Sequence, residues 1–93
     1  MTARVVEKSF EIVNDLGLHA RAAAKLVRCA SGFSSTIQVS KDGQTADAKS
    51  IMGVLLLCGE KGAMLSVRAE GEDAERAVET IGELIASRFG EDS

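Results

Sequence analysis

Along this 93-residue chain the spacing of apolar side chains switches repeatedly between two residues and three to four, and each switch marks a new element. Across residues 4–13, Val6, Phe10 and Ile12 alternate with Glu7, Ser9 and Glu11, the period of a strand with one wet face, although Lys8 interrupts it. Residues 20–31 are good helix formers with Ala20, Ala23, Ala24, Val27 and Ala30 on one face, and Gly32 follows as a C-terminal cap. Residues 33–40 return to alternation, with Phe33, Ile37 and Val39 opposite Ser34, Thr36 and Gln38. Asp42-Gly43 then signals a hairpin into a short strand at 44–48. Ser50 precedes the apolar run 51–58, read as a short helix, and residues 63–69 alternate again. Finally Ala74, Ala77, Val78, Ile81, Leu84, Ile85 and Phe89 recur at helical spacing behind the acidic first turn of Glu72, Asp73 and Glu75.

That order is strand, helix, strand, strand, helix, strand, helix. It predicts a two-layer α+β domain in which helices cover one face of a mostly antiparallel four-stranded sheet and the other face stays open to water. A chain of 9.8 kDa has room for one such domain, residues 1–93. Leu, Ile, Val and Phe make up 24 of the 93 residues, enough apolar surface to exclude disorder. No apolar stretch approaches the roughly 20 residues of a membrane span, so no membrane insertion is expected. No cationic start leads into an apolar run, and Met1 reads as the start of a cytoplasmic chain without a leader. Trp and Tyr are absent, which argues against stacking on nucleic acid.

The net charge of −3 is unevenly distributed. Residues 70–93 hold eight acids and two bases, whereas residues 1–69 hold six acids and nine bases. Nothing acidic lies between Asp15 and Asp42, while Arg21, Lys25, Arg28 and Lys41 do. Cys29 and Cys58 stand in no CxxC pattern, and with a single His they cannot make a zinc site; both read as small buried hydrophobes in a reducing compartment.

The single His lies in Gly17-Leu18-His19-Ala20-Arg21, directly before the first helix. A helix N-terminus presents unpaired N–H groups and partial positive charge, and Arg21 adds a guanidinium fork that matches a phosphate. A neutral imidazole there is a candidate nucleophile for phosphoryl transfer, because the N–P bond it forms is readily given up again. The plainer reading is a surface His ahead of a solvated basic face, and no neighbour in sequence supplies an acid to orient the ring. Ser50 is either an ordinary N-cap or a phosphorylation site whose charge a helix N-terminus tolerates. Ile51, Met52, Val54, Leu55, Leu56 and Leu57 are too many apolar residues for one buried face of a two-turn helix. Some of them are expected to form an exposed docking patch.

Taken together, the Gly17-Leu18-His19-Ala20-Arg21 segment, the Ala48-Lys49-Ser50-Ile51-Met52-Gly53-Val54 segment and the Gly71-Glu72-Asp73-Ala74 helix start resemble HPr. HPr is the family of histidine-containing phosphocarriers of the bacterial phosphoenolpyruvate-dependent phosphotransferase system. The resemblance covers nearly the whole chain and implies an open-faced β-sandwich with sheet order 1-4-2-3 and three helices on one face. It further implies that His19 is phosphorylated on Nδ1 by phosphorylated enzyme I and passes the group to enzyme II A-type domains, with Arg21 beside the phosphate. Ser50 would be the serine modified by HPr kinase/phosphorylase. Ala20, Ala24 and Arg28, with Ile51, Met52, Leu55 and Leu56, fall where the family docks its partners. The expected carrier is a monomer with no metal and no cofactor, its phosphate originating in phosphoenolpyruvate.

One position departs from the family pattern Gly-Leu-His-Ala-Arg-Pro-Ala: Ala22 stands where proline is usual. Alanine keeps the helix but does not fix φ, so preserved chemistry on a looser corner is expected. Two other readings compete with a sugar-linked carrier. One is a regulatory binding module acting mainly through the Ser50 phosphorylation state, and the other is a nitrogen-linked branch of the same phosphotransfer chemistry.

Overall fold

A computed structural model of the chain describes residues 4–93; Met1, read above as the start of a leaderless chain, lies outside the described residues. The elements run β1 (Val5–Glu11), α1 (Ala20–Ser31), β2 (Thr36–Lys41), β3 (Gln44–Asp47), α2 (Ile51–Leu56), β4 (Met64–Glu70) and α3 (Ala74–Ala86). The four strands form one antiparallel sheet in the order β1-β4-β2-β3. Order and class are those expected: an open-faced α+β sandwich with three helices.

The register shows how alternation becomes two unlike faces. Ser9 pairs with Ser66, Ser66 with Ser40 and Ser40 with Thr45, so one row across the sheet is entirely hydroxyl. Within it Ser9 and Ser66 bond at 2.8 Å and Ser40 and Thr45 at 3.0 Å. One residue further along each strand, side chains point the other way. There Ile37, Val39, Leu65, Val67 and Ala69 are fully buried beneath the helices. Burial of each Val, Leu or Ile side chain contributes about 1.5–3 kcal/mol. At Gly82 of α3 an added Cβ would lie 2.4 Å from the Phe10 ring, so the missing side chain is what lets helix and edge strand close on each other.

Several local expectations are revised. The buried stripe of α1 is Ala22, Ala23, Leu26 and Ala30, while Ala20 is exposed and Ala24 and Val27 are half-buried. Leu26, the largest apolar side chain on the helix, takes the centre of the contact and rotates the alanines around it. The last helix stops at Ala86 instead of continuing to Phe89. Arg88 and Phe89 adopt left-handed φ angles of 60° and 55°, and this reversal, not helical phase, buries Phe89 completely. Of the two cysteines, Cys29 is half-buried and burial raises its thiol pKa, but Cys58 is exposed and not the core residue expected. It follows α2 at a left-handed φ of 52°, where the chain turns its side chain outward.

Asp73 ties the layers together. Its carboxylate makes no cap bond to α3; it accepts the backbone N–H groups of Ser34 at 2.8 Å and Ser35 at 2.9 Å, and both serine hydroxyls. These bonds, that of the Ser35 hydroxyl foremost, hold its pKa down at about 2 and fasten the α1–β2 connection to the start of α3.

Candidate functional site

The loop from β1 to α1 carries His19 and is shaped by backbone contacts. Gly17 sits at φ +65°, and a Cβ there would lie 2.3 Å from the Gly59 carbonyl oxygen. The next residue, buried Leu18, donates its N–H to that same oxygen at 2.7 Å. Only glycine lets the chain pass so close and still enter a helix. His19 is then the N-cap of α1 with extended backbone, and its carbonyl accepts the first helical bond, from Ala23 N–H at 2.8 Å. Its ring makes no cap bond. The N–H groups of Ala20, Arg21 and Ala22 precede the hydrogen-bonded ladder, giving the corner its affinity for anions.

The ring is held instead by a residue 72 positions away: Nε2 pairs with the Glu91 carboxylate. Because a carboxylate can only accept, Nε2 carries the proton. The other Glu91 oxygen accepts from the Asn14 amide at 2.9 Å, and the same amide nitrogen donates to the Gly17 carbonyl at 2.9 Å. The Asn14 bond leads in lowering the Glu91 pKa below the ordinary carboxylate value, with His19 adding to it against partial burial. The side chains of His19 and Glu91 are only 27% and 15% exposed. Beside them opens a cleft of about 440 Å³ lined by Leu16, His19, Ala20, Arg21, Glu91 and Ser93.

The basic window resolves into two kinds of cation. Lys25 donates to the Phe89 carbonyl at 2.6 Å, and Lys41 reaches the Leu57 and Cys58 carbonyls at the end of α2 at 3.3 and 3.1 Å. Both serve the fold. Arg21 and Arg28 are exposed, and Arg21 shares the cleft with His19.

Ser50 caps α2, accepting the Gly53 N–H at 3.2 Å, and does not line that cleft. On α2, Ile51, Met52 and Leu56 are 41%, 63% and 70% exposed; Val54 and Leu57 are buried and Leu55 packs half-buried against the core. The patch is therefore three residues wide at its surface, with Leu55 beneath it. Exposed Leu16, which the sequence reading passed over, adds an apolar rim to the His19 cleft. Asn14 and Glu91 were also missed. Each looks like an ordinary polar loop or tail residue, and only the fold brings them to the imidazole. Among the described residues no group of three or more His, Cys, Asp or Glu is placed to hold a metal ion, and no helix is long and apolar enough to cross a membrane.

Fold and site together define a class: a small α+β sandwich that presents one carboxylate-held imidazole at a helix N-terminus, beside an arginine and an open cleft. The family model described as PTS HPr component phosphorylation site matches residues 6–87. The phosphocarrier protein HPr of Xylella fastidiosa (strain Temecula1) is 45% identical over 89 residues, covering 96% of this chain and 100% of that protein. A crystal structure of HPr from Thermoanaerobacter tengcongensis superposes with a TM-score of 0.91 at 46% identity, covering 95% of this chain and 99% of that one. A second structure from that organism, described as an HPr dimer, is 49% identical with a TM-score of 0.75, covering 88% and 94%. The chain belongs to the HPr family, the phosphocarriers of the phosphotransferase system, and as such works with components of that system.

Proposed function

We propose that His19 accepts a phosphoryl group on Nδ1 from the phosphohistidine of enzyme I and hands it to enzyme II A-type domains. The observation that carries this reading is the placement of the imidazole. It lies at the α1 N-terminus with no cap bond of its own, in an open cleft beside Arg21, with Nε2 already occupied by Glu91. Nδ1 is then the nitrogen with a lone pair to give. The first-turn N–H groups and the Arg21 fork supply donors for the phosphoryl oxygens, so the charge is compensated by the chain itself and the reading calls on no metal or cofactor. Exposed Ala20 and Arg28, half-buried Ala24 and the α2 patch of Ile51, Met52 and Leu56 over Leu55 form the surface assigned to partner docking. Arg21 and Arg28 favour acidic partner faces, with fast and salt-sensitive association. The assignment places the chain in the cytoplasm.

Incubation with phosphoenolpyruvate and enzyme I tests the reading. Acid-labile phosphate that is absent in His19→Ala is expected; acid-stable phosphate, or none, overturns it. The same sample by light scattering decides whether this chain is the monomer expected or a dimer like its T. tengcongensis relative.

A second reading rests on Ser50. Its oxygen caps α2 immediately before exposed Ile51 and Met52, so a phosphate there would place negative charge inside the docking patch and weaken partner binding. An HPr kinase/phosphorylase-type enzyme with ATP should then yield acid-stable phosphate that Ser50→Ala abolishes. Phosphorylation that leaves enzyme I binding unchanged would remove the regulatory reading.

A further inference from the structure

We propose that Glu91 is a positioning residue for phosphoryl transfer, holding the proton on His19 Nε2 through the whole cycle; this rests on the assignment of His19 as the acceptor. Both carboxylate oxygens are committed, one to the Asn14 amide and the other to the imidazole, in a setting that is mostly shielded from water. A carboxylate so held cannot swing to another partner without leaving the buried Asn14 amide with an unfilled bond.

The route by which Glu91 arrives is built for the purpose. After α3 ends, Arg88 and Phe89 both take left-handed φ angles, a conformation that the clash of Cβ with the backbone disfavours for any residue but glycine. It is maintained by complete burial of the Phe89 ring and by the bond from Lys25 Nζ to the Phe89 carbonyl. The turn is closed by Gly90 N–H to Ser87 and Glu91 N–H to Arg88 carbonyls, at 3.0 and 2.9 Å. Strain of this kind persists where surrounding structure fixes it, and here its product is a carboxylate on the back of the active imidazole.

The chemistry follows from the proton's location. The Nδ1 lone pair attacks the phosphorus of the donor's phosphoimidazole; the Nδ1–P bond forms, the donor's N–P bond breaks, and its electron pair returns to the donor nitrogen. His19 now bears the phosphoryl group on Nδ1 while Nε2 keeps its proton, so the ring is cationic. Glu91 lies against that developing charge, as the buried aspartate of a hydrolytic triad does against its imidazolium. On delivery the Nδ1–P bond breaks toward the ring, the positive charge is cancelled, and neutral imidazole departs with Nε2–H still in place. No proton moves in either direction. The same carboxylate therefore assists acceptance and release, which suits a carrier that must do both.

Three chains test this: wild type, Glu91→Ala and Glu91→Gln, each with Phe89 and Lys25 intact so that the turn keeps its anchor. Imidazole ¹⁵N spectra should show Nε2–H in the wild type and in Glu91→Gln, whose amide oxygen still accepts, and a mixed or shifted tautomer in Glu91→Ala. Single-turnover phosphoryl transfer from phospho-enzyme I should slow about 10-fold or more in Glu91→Ala, the scale on which a histidine's carboxylate partner acts elsewhere. Glu91→Gln should fall between, because it orients the ring without compensating its charge. Glu91→Ala that matches wild type in rate and ¹⁵N spectrum overturns the inference and leaves His19 as acceptor untouched. If wild type itself gains no acid-labile phosphate, the acceptor assignment fails, while the ¹⁵N comparison still decides whether Glu91 positions the ring.

Discussion

Gly17→Ala puts the geometry of the His19 loop to a quantitative test. Two penalties are expected, and they arise from different causes. A side chain at φ +65° costs about 1–2 kcal/mol from steric clash with its own backbone. The new Cβ would also stand 2.3 Å from the Gly59 oxygen and 3.0 Å from the Glu60 Cα, both main-chain atoms that no rotamer change can move aside. Overpacking of that kind costs about 1–3 kcal/mol. Gly43 supplies the control, since its φ of +82° carries the first penalty and nothing lies within 4 Å to impose the second. Gly17→Ala should lose about 3 kcal/mol and Gly43→Ala about half of that, and at about 4–8 °C per kcal/mol Tm should fall by about 12–24 °C and 6–12 °C. Urea titrations followed by far-UV circular dichroism give the same comparison as free energies. Because the Gly59 oxygen also accepts the Leu18 N–H, the displacement passes directly to His19, and phosphoryl acceptance should fall further than stability does. If Gly17→Ala is no less stable than Gly43→Ala, the close approach to Gly59 does not shape the loop and this reasoning is wrong.

Two further outcomes can be read from simple measurements. Asp73 has its pKa held at about 2 in the folded chain against an ordinary value near 3.8, so the stability it confers is fully present above about pH 4 and disappears as pH falls toward 2; Asp73→Asn should flatten the acid limb of a stability–pH curve, and an unchanged limb would place the acid sensitivity elsewhere. Ala22→Pro restores a residue that has no N–H at a first-turn position where no helical bond is lost, so phosphorylation should persist near the wild-type level; complete loss would mean that the buried site cannot hold the ring or that the Ala22 N–H is itself a required phosphate donor.

The elements were legible because their periods differ: alternation at 63–69 and the i, i+3, i+4 spacing of Ala74, Ala77, Val78 and Ile81 each permit one local structure. Boundaries were not, wherever a tertiary contact ended the element. Phe89 keeps helical phase in the sequence, yet two left-handed residues bury it, because the capture of its carbonyl by Lys25 and the burial of its ring favour a turn that neither Arg88 nor Phe89 advertises. The same limit divides the site. His19, Ala20 and Arg21 are consecutive and could be read as an anion-binding corner, whereas Asn14 and Glu91 act only through a contact across 77 positions.

The charge pattern carries a related lesson. An acid-free window holding four cations invites a reading as one binding surface, but Lys25 and Lys41 are each spent on backbone carbonyls, which leaves Arg21 and Arg28 to face outward. The acid-rich tail is likewise not a mere counterweight: one of its carboxylates crosses to the basic half and takes the imidazole. That contact puts a negative partner at Nε2 of the chain's one histidine and leaves Nδ1 free of it, on a ring that shares its cleft with Arg21. Under the proposed assignment, a phosphoryl group on Nδ1 would meet Arg21 and the helix N-terminus, while the charge its arrival creates on the ring would meet Glu91. A carboxylate on Nε2, itself held by Asn14, is what the fold adds to a motif of five residues.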